Sequence, residues 1–191
     1  MISPIELKGP WDKGYAVDNY IIHSDYLGED VFGKKQFHNI YTQIGNLLHA
    51  MKYNGHLDTS LKIAELCAPV VTSLLNKEEI DIILPVPATI QRDVQPVYLI
   101  AEALSEMLHI NYSADVLLRK SGSVPMKGIP VNERSSQNSV FKEINAKRKC
   151  NILLIDDFYS SGVSASECVK VLREDKNIDK IFFLAVAKTK G

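Results

Sequence analysis

Three short and nearly continuous apolar runs stand apart along the chain, at residues 80–87, 151–156 and 181–187. Unbroken apolar runs of this length are typical of strands that are covered on both faces, as in a parallel sheet. Residues 115–118 and the β-branched and aromatic residues of segment 15–23 predict further strands. The pattern therefore predicts a buried sheet.

Helices are predicted between these strands, because apolar residues recur there at the spacing of one helix face. The segments with this spacing are residues 40–51, 61–75, 96–108 and 162–175. The first ends at Asn54 and Gly55, which suit a left-handed helix terminus. Pro69 predicts a kink or break inside the second, and Pro96 suits the first turn of the third. Alternating strands and helices predict an α/β fold with a central, mostly parallel sheet flanked by helices.

The composition is that of one globular domain. The chain has 191 residues, of which 46% are hydrophobic and 24% charged, so it can fill a core. Its net charge of −1 disfavours nucleic-acid or membrane binding driven by overall charge. No apolar run approaches the roughly 20 residues that span a bilayer, and the N-terminus lacks a signal-peptide pattern. Three cysteines without a CxxC pair disfavour disulfides and a cysteine zinc site, so we expect a cytoplasmic protein.

The candidate chemistry lies in the run ILLIDDFYSSGVS, at residues 152–164. Asp156 and Asp157 end a strand at the carboxyl edge of the sheet, where open α/β folds bind their ligands. Two adjacent carboxylates at this place can accept hydrogen bonds from a vicinal diol, such as the 2′- and 3′-hydroxyls of ribose.

A loop of small, mostly hydroxyl-bearing residues follows the acids and leads into a helix: Ser160, Ser161, Gly162, Val163 and Ser164. Backbone N–H groups and hydroxyls at a helix N-terminus attract phosphate through unsatisfied donors and the helix dipole. Gly162 lets the backbone approach a phosphate closely. Acids for sugar hydroxyls beside donors for phosphate predict a ribose-5-phosphate pocket.

The same residues also have ordinary structural explanations. Asp at a strand end and Ser before a helix are common turn and cap residues, and Ser164 with Glu167 matches an S-x-x-E capping box. A strand that ends in two acids also occurs in P-loop NTPases, but the chain has no G-x-x-x-x-G-K-S/T motif. On the residues alone, the sugar-phosphate pocket and the plain turn and cap are equally good interpretations.

The run ILLIDDFYSSGVSAS resembles the phosphoribosyl-pyrophosphate (PRPP) signature of type I phosphoribosyltransferases, in which four apolar residues and two acids precede a T-T-G-x-T-like loop. The order and spacing of four further segments resemble the ComF-like branch over roughly residues 40–190: NLLHAMKYNG, LPVPAT, QPVYLIAEAL and VLLRKSGSVPMKGIPVNERSSQNSVF. Three features depart from that branch. Serines replace the threonines, the N-terminal zinc ribbon is missing, and QRDVQPVY replaces an arginine-rich helix start.

The resemblance implies a type I phosphoribosyltransferase fold, with a small N-terminal hood over residues 1–40 and a core domain over 41–191. A flexible flap is implied at residues 119–138, where no apolar period is present. The implied reaction is transfer of 5-phosphoribosyl from Mg²⁺-bound PRPP to an unidentified nitrogenous acceptor, with release of pyrophosphate. Asp156 and Asp157 are the implied catalytic residues that hold the ribose diol, and the serine–glycine loop is the implied 5′-phosphate site.

The resemblance also assigns residues to the pyrophosphate. Ala88, Thr89 and Arg92 follow the first core strand, where the family has its pyrophosphate loop. Lys127 and Arg134 are the phosphate-facing cations expected on the flap. A plain loop end and solvated loop charges explain these residues equally well.

The cofactor and partners are implied in the same way. Mg²⁺ would be held mainly through PRPP, with Asp156 and Asp157 reached through water. Residues 1–40 together with 52–54 would cover the acceptor, and a homodimer is a family expectation. Two other functions fit the same residues: a PRPP- or nucleotide-binding regulator without catalysis, and a ComF-like accessory factor in DNA uptake that works through protein partners.

Overall fold

The computed structural model describes residues 2–89, 94–120 and 140–189. The strands are β1 (Ile5–Glu6), β2 (Lys13–Asn19), β3 (Ile21–Glu29), β4 (Lys35–Tyr41), β5 (Ile82–Pro85), β6 (Asn111–Tyr112), β7 (Leu117–Arg119), β8 (Val140–Lys142), β9 (Cys150–Tyr159) and β10 (Ile178–Lys188). The helices are α1 (Gln43–Tyr53), α2 (Thr59–Leu74), α3 (Pro96–Leu108) and α4 (Val163–Arg173), with a 3-10 turn at Lys77–Glu79.

Six of the strands form one sheet, in the order β1-β2-β10-β9-β5-β6. All neighbours are parallel except β1, which is antiparallel to β2. Strand β9 lies inside the sheet, where Ile155 is opposite Leu184 of β10 and Pro85 of β5. The predicted α/β fold with a central, mostly parallel sheet flanked by helices is confirmed.

The two faces of the sheet carry separate hydrophobic cores, because side chains alternate along each strand. On β9, Leu153 and Ile155 enter the core that contains α1, α2 and α3. Ile152 and Leu154 enter the core that contains α4. The helices that follow β5 and β9 therefore lie on opposite faces, and the carboxyl ends of these two strands flank a topological switch point.

Residues 1–40, predicted as an N-terminal hood, contribute to two different sheets in the structure. Strand β2 pairs in parallel with β10, with Ala16 opposite Ala185, so the first 19 residues contribute two strands to the central sheet. Trp11 is buried against Phe183 of β10, with ring centroids 4.5 Å apart. Only the β3–β4 ribbon, residues 21–41, forms a separate two-stranded sheet within the predicted hood.

Of two further predictions, the strand is confirmed and the helix break is not. The strand predicted at 115–118 is β7, which pairs with β8 in a small separate sheet. Helix α2 continues through Pro69 without a break, because Cys67, Val70 and Val71 are buried on either side of it. Most of the predicted flap lies outside the described residues. None of the helices in the described part is long and apolar enough to cross a membrane.

Substitution of Phe183 tests how much the packing of the N-terminal segment on the sheet contributes to the free energy of unfolding. Its side chain is fully buried, and we expect Phe183→Ala to lower the free energy of unfolding by about 3–5 kcal/mol. The measurement is urea denaturation followed by circular dichroism. Leu61→Ala, at a side chain 56% exposed on α2, is the control and should change the free energy by less than about 0.5 kcal/mol. Equal losses in both variants would contradict this packing.

Candidate functional site

Two adjoining cavities lie at the carboxyl ends of β5 and β9. One, of about 230 Å³, is lined by Lys52, Gln95, both acids and the residues after β5. The other, of about 370 Å³, is lined by the loop after β9 and the start of α4. Asp156, Phe158 and Ser164 line both cavities. An extended ligand could therefore occupy the two cavities together, with its middle at Asp156.

The alternation of side chains along β9 gives the two acids different surroundings. Asp156 continues the face of Ile152 and Leu154, towards α4, and lines both cavities. Asp157 continues the opposite face, towards α1. The backbone N–H of Asp157 donates a hydrogen bond of 2.8 Å to Oδ1 of Asp156. The pair thus presents carboxylates from both sides of one strand end.

Lys52, in the last turn of α1, forms an ion pair with Asp157. Its Nζ is 2.5 Å from Oδ2, and the two side chains are only 10% and 18% exposed. The same Nζ lies 4.0 Å from the centroid of the Phe158 ring, a cation–π contact. Lys52 therefore neutralises one of the two acids inside the site.

Asp156 is held in surroundings that oppose its ionisation. Burial raises the pKa of this carboxyl well above its usual range, and repulsion from Asp157 raises it further. The hydrogen bond from the Asp157 backbone and the positive charges of Lys52 and Arg119 act in the opposite direction. The pKa of Asp156 therefore responds to any change in the charges that surround it.

The loop after β9 turns sharply into α4 at Gly162. This residue has a φ of 74°, and a Cβ there would lie 2.8 Å from the ring of Tyr159. Glycine is therefore required by both conformation and space. The N-cap residue of α4 is Gly162, which has no side chain to make a cap hydrogen bond, so within the described residues the first N–H groups of the helix face the loop cavity without a cap from this position. The capping box does not form, because Ser164 lies within the first turn and Glu167 faces Arg119.

Arg119, at the end of β7, contacts both the loop after β5 and helix α4. Its Nε donates a hydrogen bond of 3.2 Å to the carbonyl oxygen of Pro87, in the loop after β5. Its Nη1 lies 3.8 Å from Oε2 of Glu167 on α4, and both side chains are nearly buried, at 7% and 12% exposure. Burial raises the pKa of the Glu167 carboxyl, and Arg119 opposes that shift. Arg119 thus fixes the loop after β5 relative to α4.

The structure brings most of the predicted site residues to these two cavities. Those that line them are Ala88, Thr89, Asp156, Asp157, Ser160, Ser161, Gly162, Val163 and Ser164. Arg92, Lys127 and Arg134 lie outside the described residues, so their assignments stay predictions.

Sequence reasoning missed the two buried cations of the site. The sequence predicts Lys52 only as part of a cover over the acceptor, although its place in the last turn of an amphipathic helix is visible in NLLHAMKYNG. Arg119 stands at the end of an apolar strand, and nothing in the sequence indicates its contacts with Pro87 and Glu167. Nothing in the sequence distinguishes Phe158 from the other residues of the motif at 152–164.

The donor set suits a cation that arrives with its ligand. Within the described ranges, no group of three or more His, Cys, Asp and Glu residues is placed to hold a metal ion. Asp156 and Asp157 offer two carboxylates, one of them already paired with Lys52. This arrangement fits Mg²⁺, which keeps several waters and is often held by few protein carboxylates together with phosphate oxygens.

No model of a known protein family matches the chain, and no curated protein does. Among solved structures, adenine phosphoribosyltransferase from Leishmania tarentolae is similar over 97% of this chain and 94% of its own, at 11% identity and a TM-score of 0.47. Orotate phosphoribosyltransferase from Aeropyrum pernix is similar over 85% and 87%, at 10% identity and a TM-score of 0.41. UMP synthase from Leishmania donovani is similar over 87% of this chain, at 14% identity and a TM-score of 0.40.

The chain spans only 28% of the length of that UMP synthase.

The free energy of unfolding, measured as a function of pH, tests whether the surroundings of Asp156 oppose its ionisation. An acid whose pKa is raised by folding destabilises the folded state once pH exceeds its unfolded pKa, about 3.9 for Asp. Asp156→Asn removes this charge, so the variant should be more stable than wild type at pH 7, and the difference should shrink as pH falls towards 4. Urea denaturation across this pH range measures it.

Asp58→Asn is the matched control. Asp58 is exposed before α2 and makes no capping hydrogen bond, so its variant should stay within about 0.5 kcal/mol of wild type at every pH. An Asp156→Asn variant that is less stable than wild type at pH 7 would contradict the argument.

Proposed function

We propose that the protein binds Mg²⁺–PRPP across the two cavities and transfers its 5-phosphoribosyl group to a nitrogenous acceptor, with release of pyrophosphate. The observation that carries this proposal is the placement of Asp156 and Ser164, which line both cavities between the acid pair and the start of α4. A pentose with a phosphate at each end needs such a continuous arrangement of acids and donors.

The 5′-phosphate would occupy the cavity at residues 160–164. Free N–H groups at the start of α4, the positive end of its dipole and the hydroxyls of the loop suit a phosphate dianion. Gly162 would allow the backbone to approach the phosphate oxygens. The resemblance of this segment to a PRPP signature supports the same assignment.

The ribose hydroxyls would be bound by Asp156 and Asp157. The ion pair with Lys52, at 2.5 Å, would hold the Asp157 side chain in place beside the ribose hydroxyls. The two acids would also stabilise the positive charge that develops on the sugar when the leaving group departs. In the reaction, the bond from C1′ to pyrophosphate oxygen breaks, a bond from C1′ to the acceptor nitrogen forms, and that nitrogen loses its proton.

The pyrophosphate would lie against the loop after β5. Ala88 and Thr89 line the smaller cavity, and Arg119 holds the adjacent Pro87 carbonyl. Positioning of this kind contributes strongly when two reactants must be held in line. When bound, Mg²⁺ would neutralise charge on the pyrophosphate, and Asp156 and Asp157 would face it.

Titration calorimetry with Mg²⁺–PRPP tests the binding site. A hydrogen bond to a charged group is worth about 1.5–3 kcal/mol, so Asp156→Asn and Asp157→Asn should each weaken binding by roughly 10- to 100-fold. Asp58→Asn should bind like wild type. Equal affinity of all four proteins, or no binding to wild type, would refute the proposed pocket.

Pyrophosphate release from Mg²⁺–PRPP, measured across a panel of nucleobases and amines, then separates enzyme from regulator. Release that depends on one acceptor class supports the transferase. Tight PRPP binding with no release for any acceptor supports a PRPP-binding regulator and refutes the transfer reaction.

Substitutions of Lys52 test whether its positive charge affects the pH dependence of PRPP binding. Lys52→Met removes a cation that lowers the pKa of Asp156, so PRPP affinity should begin to fall at a higher pH than in wild type as the solution is acidified. The charged groups that face the pair are Lys52 from α1 and Arg119 from β7. Lys52→Arg keeps the charge and should keep the wild-type pH profile. Identical profiles for both variants would show that the charge of Lys52 has no such role.

A further inference from the structure

A further cavity, called the distal cavity here, lies at the edge of the sheet opposite the acid pair. It has a volume of about 540 Å³ and lies where β5, β9 and β10 begin. Cys150, which lines it, precedes Asp156 by six residues on β9, so the two positions are roughly 20 Å apart at about 3.3 Å per residue. The distal cavity is therefore separate from the proposed PRPP site. Most of its other lining side chains are apolar: Ile82, Leu84, Val116, Ile144, Ala146, Ile152 and Ile178.

The loop after β8, residues 143–149, forms one wall of the distal cavity, and hydrogen bonds hold this loop in place. The Asp175 carboxylate accepts hydrogen bonds from Nζ of Lys142, at 2.7 Å, and from the backbone N–H of Ala146, at 2.8 Å. The side-chain amide of Asn177 donates a hydrogen bond of 2.7 Å to the carbonyl oxygen of Ala146. The distal cavity is therefore formed before a ligand binds, as small-molecule sites usually are.

The charged side chains that line the distal cavity give it an excess of positive charge. Lys147 and Arg148 are exposed, and neither forms an ion pair within the described ranges. The other charged lining residue is Asp81, whose Oδ2 accepts a hydrogen bond of 2.8 Å from the backbone N–H of Asn151. Apolar walls are thus combined with two cations on the solvent side.

We propose that the distal cavity binds a small amphipathic anion, whose apolar body fills the cavity and whose single anionic group lies beside Lys147 and Arg148. Small-molecule sites are typically cavities of about 300–1,000 Å³ with mostly apolar walls and a few polar groups. Burial of the apolar body would supply most of the affinity, because this gain is proportional to the apolar area removed from water. The two cations would favour an anionic group over a neutral one.

Cys150 gives a readout that is specific to this place in the fold. It lines the distal cavity and is half-buried, whereas Cys67 and Cys168 are buried. Burial raises the pKa of the Cys150 thiol, and the charge of Arg148 acts in the opposite direction, so the two side chains are close enough to interact. A ligand in the distal cavity should therefore shield Cys150 from an alkylating reagent.

The probe is 8-anilinonaphthalene-1-sulfonate, because it joins an apolar aromatic body to one sulfonate and fluoresces in apolar surroundings. We expect wild type to bind it with a Kd of about 10–100 μM, measured by fluorescence titration. At a probe concentration of about ten times this Kd, alkylation of Cys150 by N-ethylmaleimide, followed by mass spectrometry, should be about tenfold slower. N-phenyl-1-naphthylamine, which has the same aromatic body without the sulfonate, should bind at least about tenfold more weakly.

Arg148→Glu and Lys149→Glu are the matched variants, because they change the charge identically at adjacent exposed positions. Arg148 lines the distal cavity, whereas Lys149 does not, and its Nζ lies 3.0 Å from Oδ1 of Asp179. Arg148→Glu should weaken binding of the sulfonate probe by at least about tenfold, because it brings two anions together. Lys149→Glu should change the Kd by less than about threefold, because exposed charges are screened. Circular dichroism should show that both variants are folded.

Three results would each overturn the proposal, and none of them depends on PRPP. The first is an unchanged rate of Cys150 alkylation in the presence of the sulfonate probe. The second is equal affinity of wild type for the sulfonate and the neutral probe. The third is an equal effect of Arg148→Glu and Lys149→Glu on the Kd of the sulfonate probe.

Discussion

The pairing of β9 with β5 on one side and β10 on the other is the constraint on which the site depends. It fixes the strand along its length, with Ile155 opposite Pro85 and Leu184, one residue before the acids begin. Side chains on both faces are buried in separate cores, so β9 cannot slide by one residue without exchanging those two sets. The positions of Asp156 and Asp157 therefore follow from the packing of the sheet.

This constraint also explains how much of the molecule could be predicted. The apolar run before the acids and the glycine after them are local features, so strand, acid pair and helix start are all visible in residues 152–164. Lys52 and Arg119 reach the site from α1 and β7, and contacts between distant segments leave no local pattern. The place of β2 in the central sheet leaves no local pattern either, because its pairing with β10 joins residues far apart in sequence.

The two buried cations, Lys52 and Arg119, offset the negative charge of the acid pair. Two adjacent carboxylates near the carboxyl end of β9 repel each other, and burial opposes the charge of Asp156. Lys52 compensates from the α1 face, where it contacts Asp157 directly. Arg119 lies on the α4 face, and its positive charge lowers the pKa of Asp156. Its contacts include the carbonyl oxygen of Pro87 and the carboxylate of Glu167. Each face of the sheet thus supplies one cation, and the acid pair stays available to a ligand at its open end.

Different elements form the walls of the two cavities at the acid pair. The larger cavity is formed by the loop after β9 and the start of α4, which packs on the core of the sheet. The Lys52 side depends on α1, whose N-cap residue, Thr42, directly follows the ribbon. Thr42 accepts a hydrogen bond of 3.0 Å from Gly45 and donates one of 2.6 Å to the carbonyl of Asn19, which ties the end of β2 to α1 at the root of the ribbon. Tyr20, in that root, packs against Phe158 with ring centroids 4.7 Å apart. The root of the ribbon is therefore linked to the acid-pair side of the site through Thr42 and Tyr20, and to both cavities through Phe158, which lines each of them.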